Sequence, residues 1–197
     1  MIICVIGLAM LLVGEATRRP ALRFTGKPIA SAGFLAVAAC AHPSGAFATC
    51  VVVGLVLGAI GDIALLWDRG FVLGLAVFLL GHLAYVVAVA QVVPVSAWIT
   101  PLAIVPLVAA AIALAWLWPH LGKLRGAVIA YVAAITAMVV GAIALGNPRF
   151  LAGAVLFFAS DLAVARDKFV APGVSNRAWG LPAYYAGQLL IAWSIST

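Results

Sequence analysis

Apolar residues occupy this chain in unbroken runs rather than on one face of each helix. The runs cover Met1–Ala16, Pro28–Ala41, Phe47–Trp67, Phe71–Gln91, Trp98–Trp118, Gly126–Leu145, Phe150–Ala165 and Trp179–Ser196. A helix that is apolar all round lies in a large core or crosses a membrane. A crossing takes about 20 residues, and as few as ~17. The pattern therefore predicts about eight membrane spans with very short connections. The second is the shortest, and His42-Pro43-Ser44-Gly45 interrupts it. Nothing is left over for a soluble domain, a linker or a tail. The expected fold is all-α: a polytopic membrane helical bundle forming a single integral membrane domain over residues 1–197.

Composition agrees with the pattern. Hydrophobic residues make up 67% of the chain and charged ones 8%, whereas soluble domains are roughly half apolar and about a quarter charged. No Gly-X-Y period or low-complexity tract points to a fibre or a disordered chain. The first run lacks a basic flank before it, and Glu15-Ala16-Thr17-Arg18-Arg19 after it offers no small-residue cleavage site. It reads as a retained helix. Cys4, Cys40 and Cys50 lie within apolar runs at no metal-ligand spacing, so they are expected as small buried hydrophobes.

The net charge of +6 could indicate nucleic acid, but its placement excludes that. Arg18, Arg19, Arg23 and Lys27 follow the first run, and Arg69 follows the third. Lys123 and Arg125 follow the fifth, and Arg166, Lys168 and Arg177 the seventh. Arg149 alone lies in the other set of connections. With eight spans the basic connections share one side, which the positive-inside rule makes cytoplasmic. Both termini then face outward. Some attraction to anionic membrane lipids follows from the same charges. The abundance of Ala, Gly and Arg over Lys associates the chain with a bacterial plasma membrane.

Against this apolar background a few polar positions stand out. Gly61–Arg69 (GDIALLWDR) aligns with Ser160–Lys168 (SDLAVARDK), matching Asp62 to Asp161 and Ala64 to Ala163. The match joins the third span to the seventh and would fit two parallel four-helix halves. Each aspartate sits ~7–8 Å inside the basic end of its helix, at about 1.5 Å per residue. Asp68 and Asp167, next to Arg69 and Lys168, read as solvated. His82 falls near the middle of the fourth span, with Tyr85 close to the same face. Tyr184, Tyr185 and Gln188 lie on the last span, Ser160 adjoins Asp161, and Lys27 opens the second span. Ionisable groups at membrane depth are costly and mark functional sites by default.

If the two carboxylates meet in a dry cavity, repulsion and desolvation favour one shared proton. That places an acid and a base together. Asp62 and Asp161 are thus the candidate catalytic residues. Lys27, His82, Tyr85, Ser160, Tyr184, Tyr185 and Gln188 are the candidate substrate-binding residues. No Gly-x-Ser-x-Gly elbow and no phosphate-binding glycine loop occurs in the sequence. His42, His82 and His120 are too dispersed for a zinc site, and no cofactor is expected. Proton-coupled transport of a lipid or small solute is the alternative, because aspartate and histidine also form proton relays. An intramembrane aspartyl peptidase shares the Gly-Asp feature.

GKP (Gly26–Pro28), GDIALLW (Gly61–Trp67), FLLGHLAYV (Phe78–Val86), GAVLFFASDLAVA (Gly153–Ala165) and YYAGQLLI (Tyr184–Ile191) occur in order along the chain. In order and spacing they resemble the YhhN family of lysoplasmalogenase-like membrane proteins, over nearly the whole length. The resemblance implies an eight-span hydrolase of the vinyl ether bond of a lysoplasmalogen or related ether lysolipid. The products would be a fatty aldehyde and a glycerophospho-base. It also implies that the family's paired aspartates correspond to Asp62 and Asp161. The partner would be a lysophospholipid, with Lys27 toward its phosphate, His82 and the tyrosines deeper, and no metal or organic cofactor.

Overall fold

The computed structural model describes residues 1–196, leaving aside the side chains of Asp68 and Ser196. The expectation that Asp68 is solvated therefore falls outside what is described, as does Thr197. Eight α-helices follow one another: α1 (Ile2–Thr17), α2 (Pro20–Cys40), α3 (Gly45–Ala64), α4 (Phe71–Ala90), α5 (Ile104–Leu117), α6 (Arg125–Leu145), α7 (Pro148–Ala165) and α8 (Val174–Trp193). Short 3₁₀ turns and one π turn, Arg166–Val170, join them, and the described residues include no strand.

The ends of the helices have local causes. Pro20 and Pro148 sit in the first turns of α2 and α7, where their missing N–H groups have no helical partner to lose. Asn147 caps α7, its Oδ1 accepting from the backbone N–H groups of Arg149 at 3.0 Å and Phe150 at 3.1 Å. Gly146, at φ 70°, ends α6 in the left-handed region that glycine enters without strain.

Among the boundaries that differ from the sequence expectation, α5 begins at Ile104 rather than Trp98, after short 3₁₀ turns, and two others lengthen their helices. α2 begins at Pro20, so Pro28 lies inside the helix and Arg23 and Lys27 are helical rather than in a connection. α8 begins at Val174 instead of Trp179, which brings Asn176 and Arg177 into its opening turns. Periodicity of hydrophobic residues could not see either segment, because both open with polar residues whose partners lie on other helices. Five helical segments are long and apolar enough to cross a membrane: Gly45–Ala64, Phe71–Ala90, Pro101–His120, Gly122–Leu145 and Pro148–Val170. α1 is apolar but shorter.

Helices α1 and α2, α3 and α4, and α7 and α8 pack as hairpins. Glycine allows the closest approaches. A Cβ on Gly33 would lie 2.4 Å from the Cys4 nitrogen, and one on Gly7 would lie 2.3 Å from the Ala30 nitrogen. On the other side of the bundle, Gly153 and Gly187 face each other's carbonyl oxygens in the same way. Lipid gives helices no solvent-driven reason to associate, so small residues that let backbones touch supply much of the contact.

α5 is the exception. It packs on α6 and is fastened at its ends. At the basic end Leu117 and Leu121 pack with Val128 against Phe169 and Val170. At the opposite end the connection into α5 is seated by Trp98, whose ring lies against Gly141 of α6.

Replacing Gly33 with Val is expected to force α1 off α2 and to lower stability by about 1–3 kcal/mol or more. Gly126→Ala, where nothing lies within 4 Å of the added carbon, is expected to leave stability unchanged or slightly higher. Thermal unfolding of both variants in detergent measures the contrast.

Candidate functional site

A cavity of about 530 Å³ opens at the basic end of the bundle. Asp62 from α3 and Asp161 from α7 both line it, as do Lys27, Ser160 and Tyr184. The remaining candidates stand behind this wall: His82, Tyr85, Tyr185 and Gln188 are buried and do not reach the cavity surface.

Asp62 is buried among donors. Its Oδ1 lies 3.4 Å from the Lys27 ammonium. Its Oδ2 accepts from the Ser31 hydroxyl at 2.7 Å and from the Tyr185 hydroxyl at 3.3 Å. Lys27 also donates to the Asp62 carbonyl oxygen at 3.2 Å. Lys27 and Ser31 are one helical turn apart on α2, so both reach the same carboxylate. The Lys27 charge is turned inward and met by Asp62. Sequence reading does not single out Ser31, a small hydroxyl in an Ala/Gly-rich stretch.

The rest of the α3 face is shaped for the same purpose. Gly54, Gly58 and Gly61 lie on one side of α3 at helical spacing. A Cβ on Gly58 would stand 2.3 Å from Gln188 Nε2, and one on Gly54 would stand 2.4 Å from the Tyr85 ring. The space they leave holds a chain of polar contacts. The Tyr85 hydroxyl donates to Gln188 Oε1 at 2.8 Å, and Gln188 Nε2 donates to the Tyr184 oxygen at 3.3 Å. These residues hold Tyr184 against the cavity; they do not line it themselves.

Asp161 has a different set of neighbours. The Tyr131 hydroxyl of α6 donates to its Oδ2 at 3.1 Å. His82 Nε2 lies 3.7 Å from the same oxygen, beyond normal hydrogen-bond length. The imidazole is fully buried, with its ring edge-on to Tyr131 at 5.0 Å and to Phe157 at 4.6 Å. Neither ring nitrogen has a hydrogen-bond partner among the described residues. Ser160, beside Asp161, bonds back to the Phe157 carbonyl of its own helix at 2.8 Å. Tyr131 is missed by sequence reading, since one tyrosine in an apolar helix carries no pattern.

No hydrogen bond or ion pair among the described residues joins Asp62 to Asp161. Each carboxylate has its own partners, and what they share is the cavity between them.

The cavity mouth is framed by charges that tie four segments together. Glu15 of α1 forms an ion pair with Arg23 of α2 at 2.7 Å and accepts from Arg177 of α8 at 2.6 Å. Arg177 also reaches Asp167 at 3.1 Å. The other Asp167 oxygen accepts from the Gly173 N–H at 2.8 Å and from Asn176 at 3.2 Å. Asn176 in turn meets Arg166 and donates to the Ala171 carbonyl at 2.7 Å. The expectation that Asp167 is merely solvated is thus corrected. The π turn points its carboxylate at the opening of α8, where it holds the link between α7 and α8. Sequence distance conceals this network, because Glu15 and Arg177 lie at opposite ends of the chain.

The described residues hold no cluster of three or more His, Cys, Asp or Glu able to bind a metal. The groups lining the cavity suit proton transfer and anion or ammonium contacts instead: carboxylates, phenols, ammonium and guanidinium groups.

Comparison with known proteins gives the following. The sequence model of the YhhN family matches residues 22–195. A Mycobacterium bovis protein named lysoplasmalogenase is 36% identical over 196 residues, covering 91% of this chain and 71% of that protein. A Bos taurus protein named lysoplasmalogenase TMEM86A is 37% identical over 175 residues, covering 78% of this chain and 66% of that one. The human lysoplasmalogenase TMEM86B is 33% identical over 163 residues, covering 83% and 69%. No solved structure matches.

Replacing Lys27 with Met leaves the Asp62 carboxylate buried without its cation. The expected cost is about 3–5 kcal/mol. The double variant Lys27→Met/Asp62→Asn is expected to be more stable than the sum of the single changes predicts. A double-mutant cycle of denaturant unfolding in detergent micelles checks this.

Proposed function

The chain belongs to the YhhN family, and from that premise we propose that it is an intramembrane hydrolase of lysoplasmalogen or a closely related ether lysolipid. It would cleave the vinyl ether bond to a fatty aldehyde and a glycerophospho-base. The observation that carries this reading is the pair of acidic side chains from α3 and α7 facing one cavity, flanked at its mouth by basic groups. The relatives named lysoplasmalogenase supply the substrate class.

Vinyl ether hydrolysis starts with protonation of the alkene carbon distal to oxygen, which leaves an oxocarbenium ion. Water adds to the carbon bearing oxygen, and the hemiacetal collapses to aldehyde and alcohol. One water is consumed, and the proton first given is recovered. Asp161, whose neighbours are a phenol and an imidazole, is the proton donor. Asp62, matched to the Lys27 ammonium, is the carboxylate that orients the water and stabilises the cation. Ser31 and Tyr185 fix its orientation, and no metal or organic cofactor is needed for these steps.

The lipid sits with its headgroup at the basic mouth and its reacting bond at the depth of the aspartates. Arg23, Arg177 and Lys168, which line the mouth, are placed to meet the phosphate. In this reading all eight helices cross the membrane as one domain over residues 1–197. The basic connections are cytoplasmic, both termini face outward, and the membrane is a bacterial plasma membrane. The match of Asp62 to Asp161 supports two four-helix halves, α1–α4 and α5–α8, each giving one carboxylate.

Asp62→Asn and Asp161→Asn are each expected to lower aldehyde release from purified protein by about 10²–10⁴-fold while lysolipid binding persists. Wild-type turnover is expected to slow in D₂O, because proton transfer to carbon limits the rate. Full activity in either variant would refute the paired-aspartate chemistry.

A further inference from the structure

Beside the cavity lies a second, apolar space that the proposed chemistry does not use. Between α5 and α7 lies a groove of about 330 Å³ walled by Ala109, Ile112, Ala113 and Trp116 on one side and Phe158 and Leu162 on the other. Three of these residues, Ala113, Phe158 and Leu162, also line the main cavity. The two spaces therefore lie side by side with Ala113, Phe158 and Leu162 between them. Ile112 is 65% exposed and Trp116 40% exposed, so the outer rim of the groove faces the surroundings of the bundle.

The packing of α5 accounts for the gap. Its basic end is pinned by Leu117 and Leu121 to Val128, Phe169 and Val170. The connection leading into it is pinned through Trp98 to Gly141 on α6. Between those fastenings α5 rests on α6, and its small residues Ala109 and Ala113 leave the side toward α7 open. The two neighbouring spaces differ in polarity. Glu15, Arg23, Asp167, Lys168 and Arg177 lie at the mouth, and only apolar side chains line the groove.

We propose that the groove between α5 and α7 is the seat and lateral portal of the substrate's hydrocarbon tail. This rests on the lysolipid-hydrolase reading and names where the tail of that substrate lies. A single-chain amphiphile in this void has one favourable direction, with its charged end among the mouth residues and its chain toward the groove. Passing the tail through the aqueous mouth would expose every methylene to water, and that cost grows with each carbon. Sliding in sideways between α5 and α7 keeps the chain in an apolar medium throughout. Ala109 lines the groove and not the main cavity, so Ala109→Trp fills the groove from the α5 side.

Two measurements on the full-length protein in lipid nanodiscs test the portal. The first uses a non-hydrolysable ether lysolipid carrying an alkyl diazirine on its terminal carbon. On illumination it is expected to label α5 and α7 at Ile112, Trp116 or Phe158, with labelling suppressed by excess unlabelled ether lysolipid. Labelling confined to other helices, or suppressed equally by diacyl phospholipid, overturns the proposal. The second compares Ala109→Trp with wild type on long-chain and short-chain vinyl ether lysolipids. The ratio of long-chain to short-chain kcat/KM is expected to fall about tenfold or more. An unchanged ratio in a folded variant counts against the portal and leaves the hydrolase reading intact. Wild-type protein that hydrolyses neither lipid defeats the hydrolase reading instead, and the labelling pattern then still decides where the tail binds.

Discussion

A charge inside a helical bundle must find its partner within the bundle, and Asp62 is where this protein meets that constraint. Its carboxylate is held between the Lys27 ammonium and the hydroxyls of Ser31 and Tyr185. These partners come from α2 and α8, so satisfying one side chain on α3 fixes three helices relative to one another. Removing one partner of the Lys27–Asp62 pair leaves an uncompensated buried charge, which costs far more than the intact pair contributes. The arrangement therefore specifies the bundle more than it strengthens it.

Close backbone contact is what makes that arrangement possible. Glycines on α1, α2 and α3 let neighbouring helices and aromatic rings occupy space that any Cβ would fill. Gly58 and Gly54 admit Gln188 and Tyr85, and these in turn set Tyr184 at the cavity wall. Tyr85, Gln188 and Tyr184, expected at a substrate, are hydrogen-bonded to one another. An interior hydroxyl or amide with no water nearby bonds first to its protein neighbours.

The two aspartates share a cavity and differ in company. One has a cation and two hydroxyl donors. The other has a phenol and a buried imidazole that has no hydrogen-bond partner among the described residues. Such unlike environments are how one site keeps two carboxyl groups in different roles. The proposed hydrolysis needs an acid and a base at neighbouring points, and a cavity with charged and apolar lining matches an amphiphilic substrate.

The helical bundle was legible before any coordinates, because runs of apolar residues leave few other ways to satisfy a backbone in lipid. Asp62, Asp161, Lys27 and Ser160 were legible for the same reason, since ionisable or polar groups are conspicuous in apolar surroundings. Tertiary structure alone decided the rest. Pro28 and Lys27 fell inside α2 rather than at its start, because Pro20 opens the helix and the ammonium finds its counter-charge on α3. The Glu15–Arg177 contact joins positions nearly a chain length apart. Ser31 and Tyr131 became partners of carboxylates only when α2 and α6 were set beside α3 and α7. A one-dimensional pattern records what each segment must bury; which neighbour covers it depends on how the helices come together.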